Sequence, residues 1–422
     1  MVAAPATLAA TLLILVESAS SASTAGPNIV GCPATAATAG EDGGTNDVVV
    51  VDVLIYGGTA GGVVAGVAAA RATHQGHALK VLLLNPSSSH LGGMVSSGLG
   101  KTDGKDSGGI AREFFKAVGG YSFAPSAAER VFDELARNAS LLVASKCRIV
   151  AVMKHQRRAG SGSATVMAAG AAPSNIVSVT TSNGGTIGAR VFIDATYEGD
   201  LMQLAGVNYT VGREASCQYD EEAAGRLPVG IPGPWSCGCN WNLGIVDGRG
   251  ADGKLLPMVR DATTMAAKGA ADKAVQAYNF RLCLTQDATN FRSIPAPARY
   301  DPIEWQLLRR VMQHLHGQAL QDKEDDHTLT FSSFIGCVDV GGNKTDCNNH
   351  GGLSTDFIGA SWTWPDANHQ ERLRLFELHK TIRWVSSTSF DMILRPHLVK
   401  PCTSTPSEDG AQQHVWGVRF SN

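Results

Sequence analysis

Residues 53–72, VLIYGGTAGGVVAGVAAARA, run an apolar strand through a glycine cluster into an Ala/Val helix. The strand begins earlier, in DVVVVDVLIY (47–56), whose β-branched run is the pattern of a parallel strand buried on both faces. The helix ends near ATHQGH, and ALKVLLLN (78–85) reads as a second buried strand. Together these segments form a β-α-β unit, which commits this part of the chain to a parallel sheet covered by helices, an α/β fold.

A strand-to-helix turn lined with glycines lets backbone N–H groups and the positive end of the helix dipole come close to a pyrophosphate. Aligned on G-x-G-x-x-G, the key positions are Gly57, Thr59 and Gly62, so a Thr stands at the middle glycine. Its hydroxyl could instead donate to a phosphate oxygen. At the end of the second strand, where the pattern asks for an acid to hold a ribose hydroxyl pair, the chain has Asn85. A charged acceptor there would bind more strongly by ~1 kcal/mol, so Glu at 85 is expected to tighten the site. From these residues alone, a doubly wound fold that binds no nucleotide stays open.

Downstream, NIVSVTTSNGGTIGARVFIDAT (175–196) alternates apolar and polar residues around Asn183-Gly184-Gly185, the signature of a hairpin. From about 201 to 385 the pattern turns to longer helical stretches between Pro/Gly loops. DPIEWQLLRRVMQHLHG sets Trp305, Leu308, Met312 and Leu315 on one face, and DANHQERLRLFELHKTIRW begins with an Asp cap and carries a similar stripe.

A length of 422 residues suits two domains, and a net charge of -3 without a basic run gives no electrostatic preference for nucleic acid or acidic membranes. Residues 3–16, AAPATLAATLLILV, are too short to span a bilayer and precede the small residues of ESASSASTAG. Residues 1–22 therefore read as a secretory signal cleaved near Ala22, with a short anchor or plain terminus left open. No membrane association is expected after cleavage, and 23–46 read as a disordered Gly/Ala/Thr linker. In that compartment the nine cysteines are candidate disulfide partners whose connectivity the sequence leaves open. The acceptor sequons at Asn138, Asn208 and Asn343 fit the same route. Cys237 and Cys239 lack zinc spacing, so no metal is expected.

Four ordered blocks resemble one family: HLGGMVSSGLGKTD (90–103), FIDATYEGDLMQLAGVNYTVGREA (192–215), VQAYNFRLCLTQD (275–287) and NNHGGLSTDFIGASW (348–362). The family is that of FAD-dependent oxidoreductases often labelled xanthan-lyase-like, and the resemblance covers residues 50 to about 385. It implies a glutathione-reductase-like architecture: a Rossmann-like FAD-binding domain with a parallel sheet and β-meander (47–200), and an α-rich or α+β substrate domain (201–385). It further implies that Gly57, Gly58, Thr59, Ala60, Gly61 and Gly62 line the pyrophosphate and that Asn85 meets the ribose. His90, Leu91, Gly92, Gly93 and Met94 would follow the cofactor towards the flavin. Ile149 would sit beside adenine, and Asp194, Ala195 and Thr196 would form the second cofactor turn.

Several roles have an ordinary counterpart. Asp194 suits a helix cap equally well. His90 is a loop histidine as readily as a base. Arg281 suits either a substrate carboxylate or hydroxyl, or a salt bridge. The implied reaction is hydride transfer from a hydroxylated small molecule, such as a carbohydrate, to FAD, and no residue stands out as the catalytic base. Oligomeric state is not legible. Residues 386–422 show neither the second Gly-rich segment expected of such chains nor a strand-helix unit, so they read as a divergent or truncated tail that would leave a poor enzyme. A non-catalytic flavin-fold remnant is the competing reading.

Overall fold

The computed structural model describes residues 28–34, 48–86, 90–156 without 105, 174–226, 246–285 with short gaps, 301–310, 313, 335–349, 359–380 and 417–418. The leader, Cys237, Cys239, Met312, Leu315 and the tail apart from 417–418 lie outside the described residues. The chain divides into two compact units, Met1–Tyr209 with Ser421–Asn422, and Thr210–Phe420.

In the first unit, strand β1 (Asn28–Val30) is followed by β2 (Val49–Tyr56), helix α1 (Ala60–Arg71) and the two-residue strands β3 (Thr73–His74) and β4 (His77–Ala78). Next come β5 (Val81–Asn85), α2 (Met94–Ser97), α3 (Gly109–Val118), α4 (Pro125–Asn138) and β6 (Leu142–Ser145). β7 (Ile149–Gln156), β8 (Ser174–Thr181), β9 (Thr186–Asp194) and α5 (Asp200–Leu204) complete it.

Seven strands form one sheet in the order β1-β6-β5-β2-β9-β8-β7. The ladders from β1 through β9 are parallel, and the β9-β8-β7 meander is antiparallel. The two-residue period of the strands separates two cores. Val53, Ile55, Val81, Leu83 and Val143 face α1, α3 and α4 together with Val63, Val67, Phe114 and Phe132. Leu54, Tyr56, Leu82, Leu84 and Ala144 pack on the opposite side with Ile149 and Leu201. α1 lies close on the sheet because Gly66 has no side chain, as a Cβ there would come within 2.7 Å of Leu141.

The N-terminal segment departs from the linker read for it. Residues 28–30 pair with β6 as the sheet's edge, and Cys32 forms a disulfide with Cys147, 115 positions away. Thr181 also donates its hydroxyl to the Pro33 carbonyl at 2.7 Å, and Ala34 bridges to Gly184. Long-range pairing thus outweighs a local Gly/Ala/Thr composition that specifies no element of its own.

In the second unit, α6 (Ser216–Tyr219) precedes an antiparallel sheet of order β11-β12-β10-β13, made of β10 (Leu282–Thr285), β11 (Ile335–Gly341), β12 (Lys344–Asn349) and β13 (Gly417–Val418). Trp305 and Leu308 of the first amphipathic stripe are buried at 6 % and 3 % exposure. The second stripe forms a helix over residues 369–380, but its cap is Asn368, whose side-chain oxygen accepts from the Glu371 N–H at 2.9 Å. Asp366 lies too early in the chain to reach that first turn.

Candidate functional site

Three chain segments meet at the end of the parallel strands: the 57–62 turn, residues 90–94 after β5, and residues 194–197 after β9. Gly57 has φ 126°, a conformation that favours glycine, and a Cβ on it would lie 2.5 Å from the Ala195 carbonyl carbon. A Cβ on Gly58 would lie 2.5 Å from the Asn85 side chain, and one on Gly62 would overlap the Gly57 carbonyl oxygen. Gly61 differs: it is exposed, and a Cβ there would meet only the Thr59 hydroxyl, at 3.8 Å. Gly57 and Gly62 therefore let backbone meet backbone, Gly58 makes room for the Asn85 side chain, and Gly61 leaves the helix terminus open to solvent.

Thr59 is the N-cap of α1. Its hydroxyl oxygen accepts from the Gly62 N–H at 3.0 Å and its proton goes to the Ala195 carbonyl at 2.8 Å. The Thr that breaks the glycine pattern thus ties the first turn to the β9 turn, and the hydroxyl is not left to donate to a phosphate. By helix geometry the Ala60 and Gly61 N–H groups have no partner within the helix, so the positive end of α1 presents them outward.

Asn85 is 3 % exposed, and its amide nitrogen donates to the His90 carbonyl at 2.8 Å. Instead of presenting a ribose-binding group, the side chain packs beneath Gly58 and anchors the next segment. A Glu here would put a carboxylate against the His90 carbonyl with no donor between them. Asn85→Glu is therefore expected to lose about 2 kcal/mol of stability and to bind FAD more weakly, reversing the sequence expectation. Urea midpoints and FAD titration of the variant check this.

The 90–94 segment is held on both sides. The Gly92 N–H donates to the Gly58 carbonyl at 2.9 Å, Leu91 is fully buried, and Ser96 donates its hydroxyl to the Leu91 carbonyl. Gly93 takes φ 55° at the N-cap of α2, and Met94 is exposed. His90 places Nδ1 2.6 Å from Glu129 of α4, a carboxylate the sequence reading did not connect to it. Nearby, burial raises the Asp133 carboxyl above its usual range, with Glu129 adding to the effect.

In the third segment, Asp194 accepts from the Thr196 N–H at 3.0 Å, from the Thr196 hydroxyl at 2.7 Å and from the Met202 N–H at 2.8 Å. Thr196 in turn accepts from the Asp200 N–H at 2.9 Å. Asp194 and Thr196 thus cap α5, while the Ala195 backbone packs against Gly57. Tyr197, absent from the sequence reading, reaches across to accept from the Met94 N–H at 2.8 Å.

Two residues lie elsewhere. Ile149 is 3 % exposed within the core, where its N–H donates to the Tyr56 phenol at 3.2 Å; burial pushes that phenol up to about 12. Arg281 makes a two-pronged ion pair with Asp346 across β10 and β12, at 2.8 and 2.6 Å, and the Asp346 side chain is fully buried. Of its two readings, the salt bridge is the one realised. Among the described residues no cluster of three or more His, Cys, Asp or Glu suits a metal, and no helix is long and apolar enough to cross a membrane.

A family model described as FAD dependent oxidoreductase matches residues 52–399. The chain belongs to this family. The cofactor of this FAD-dependent oxidoreductase is accordingly FAD. No curated protein matches the chain. Among solved structures, THI4 of Thermovibrio ammonificans is 19 % identical, with 39 % of this chain matched to 66 % of that one and a TM-score of 0.28. A flavin-containing monooxygenase from Stenotrophomonas maltophilia is 17 % identical over 40 % of this chain and 43 % of its own, with a TM-score of 0.22. L-proline dehydrogenase from P. horikoshii is 16 % identical over 40 % and 24 %, with a TM-score of 0.22. The chain spans less than two thirds of the length of each.

The residues present fit the group. A dinucleotide's pyrophosphate needs close backbone approach and outward N–H donors, and the open Gly61 beside the tightly packed Gly57, Gly58 and Gly62 supplies both.

Proposed function

We propose that the protein binds FAD with the pyrophosphate at the N-terminus of α1 and oxidises a hydroxylated small molecule, a carbohydrate or related alcohol, by taking a hydride from the carbon that bears the hydroxyl. The observation that carries the reading is the three-segment cradle itself, in which Gly62 meets Gly57, Gly57 meets Ala195, and Gly92 meets Gly58. Bound FAD supplies a two-electron acceptor. The chain supplies the rest: Ala60 and Gly61 present backbone donors, Thr59 locks the turn, and Gly92, Gly93 and Met94 form the adjoining wall.

Residues 47–200 are proposed as the FAD-binding domain and 201–385 as the substrate domain. Export through the secretory route is part of the same reading. The Cys32–Cys147 disulfide and the exposure of the sequon residues Asn138, Asn208 and Asn343 support it.

Purified protein is expected to bind FAD at one per chain and to bleach its flavin absorbance with at least one member of a panel of sugars and alcohols. Absence of FAD binding would overturn the reading. Stoichiometric FAD that no donor reduces would favour a non-catalytic flavin-binding protein.

A further inference from the structure

Tyr197 closes the cradle by joining its second and third segments. Its hydroxyl oxygen accepts from the Met94 N–H at 2.8 Å and lies directly over Gly93, where a Cβ would overlap it. That same absent Cβ would stand 3.1 Å from the Thr59 Cα, so Thr59, Gly93 and the Tyr197 phenol converge on one spot beside the α1 N-terminus. Yet the side chain is no core residue, since Tyr197 is 56 % exposed.

The hydroxyl also has unspent capacity. A phenol donates one proton as well as accepting, and the Met94 bond uses only its acceptor side. Among the described residues no oxygen takes that proton. Burial raises the phenol above its usual range, so at neutral pH the proton stays in place. A donor polarised by an N–H on its own oxygen, at the mouth of a cradle of backbone N–H groups, matches an anionic oxygen.

We propose that Tyr197 is a dinucleotide-binding residue, donating its phenolic proton to a phosphate oxygen of FAD while its own oxygen holds the Met94 N–H. The inference rests on the FAD reading above and adds to it a side-chain contact made by no member of the glycine turn. Since Gly93 is the only residue thin enough to sit beneath that oxygen, the two positions act together.

The test compares wild type with Tyr197→Phe, which keeps the ring and deletes the hydroxyl. Apoprotein is titrated with FAD, ADP and adenosine, and hydrogen exchange is followed at the Met94 amide. The variant is expected to bind FAD and ADP roughly tenfold more weakly, to bind adenosine unchanged, and to exchange the Met94 amide roughly tenfold faster, with an unaltered melting temperature. Wild-type affinity for FAD and ADP in the variant would overturn the proposal alone. An equal loss for adenosine would do the same, because it would mean a structural effect with no phosphate contact. Failure of the wild-type protein to bind FAD would overturn this inference together with the reading beneath it.

Discussion

Gly62→Val is expected to abolish FAD binding and to destabilise the first unit by more than ~3 kcal/mol. The cause is steric and local. A Cβ at position 62 overlaps the Gly57 carbonyl oxygen and stands 3.2 Å from the Ala195 methyl, and neither neighbour can turn aside as the tip of a long side chain could. Relief would require α1 to lift from β2, which would move Val63 and Val67 out of a core where both are fully buried. Gly61→Ala separates folding from binding. Its added methyl meets only the Thr59 hydroxyl at 3.8 Å, and alanine is a better helix former by ~1 kcal/mol, so the fold should gain stability. The same methyl points into the space where a pyrophosphate must approach, so FAD should bind about tenfold more weakly. Urea unfolding and FAD fluorescence titration of the pair distinguish these outcomes. Unchanged FAD affinity in Gly62→Val would show that the cofactor does not use this turn.

The cradle's framework was legible where local pattern and burial agree. The β-branched run before Gly57 and the apolar run ending at Asn85 read as buried parallel strands. β5 is buried throughout, whereas the first run is buried at Val51 and from Val53 to Tyr56 but exposes Val48 and Val50, so it is covered on both faces only in its second half. The Asn183-Gly184-Gly185 turn likewise specifies the β8–β9 hairpin, with Gly184 at φ 85°. Thr59 was harder, because a fingerprint made of glycines scores it as a defect, whereas N-cap chemistry makes it the residue that closes the turn. Tyr197 could not be read at all. Its partner is a backbone N–H 103 positions earlier, and a main-chain donor leaves no mark in the side-chain sequence. The His90–Glu129 pair hides for a similar reason, joining a loop to a helix 39 positions on. Arg281 had two plausible partners on chemistry alone, and only the register that sets Asp346 opposite Cys283 brings the carboxylate to it.

Reduction of the Cys32–Cys147 disulfide is expected to remove about 5 kcal/mol of stability from the first unit and to weaken FAD binding. The bond closes a loop of 115 positions, and by chain entropy a crosslink of that span restricts the unfolded ensemble by about that amount. Among the described residues Val30 and Cys32 also pack against the second core, and the segment's remaining ties are few. β1 pairs with β6 over three residues, one side-chain hydrogen bond reaches Pro33, and one bridge joins Ala34 to Gly184. Without the crosslink the segment's ordering entropy, ~1–2 kcal/mol per residue, exceeds what those contacts return, so the strap should detach. The effect should travel to the cradle through one short connection, because the Cys147 N–H donates to the Asn85 carbonyl at 2.9 Å and Asn85 holds both Gly58 and His90. Wild type with and without dithiothreitol, and Cys32→Ser with Cys147→Ser, should show the same fall in urea midpoint and the same rise in FAD Kd. Non-reduced digests of the wild type should contain the crosslinked Cys32–Cys147 peptide. Equal urea midpoints in the oxidised and reduced protein would show that the strap is held by its pairing with β6 alone, and an unchanged Kd alongside a lowered midpoint would show that Asn85 keeps its position without it.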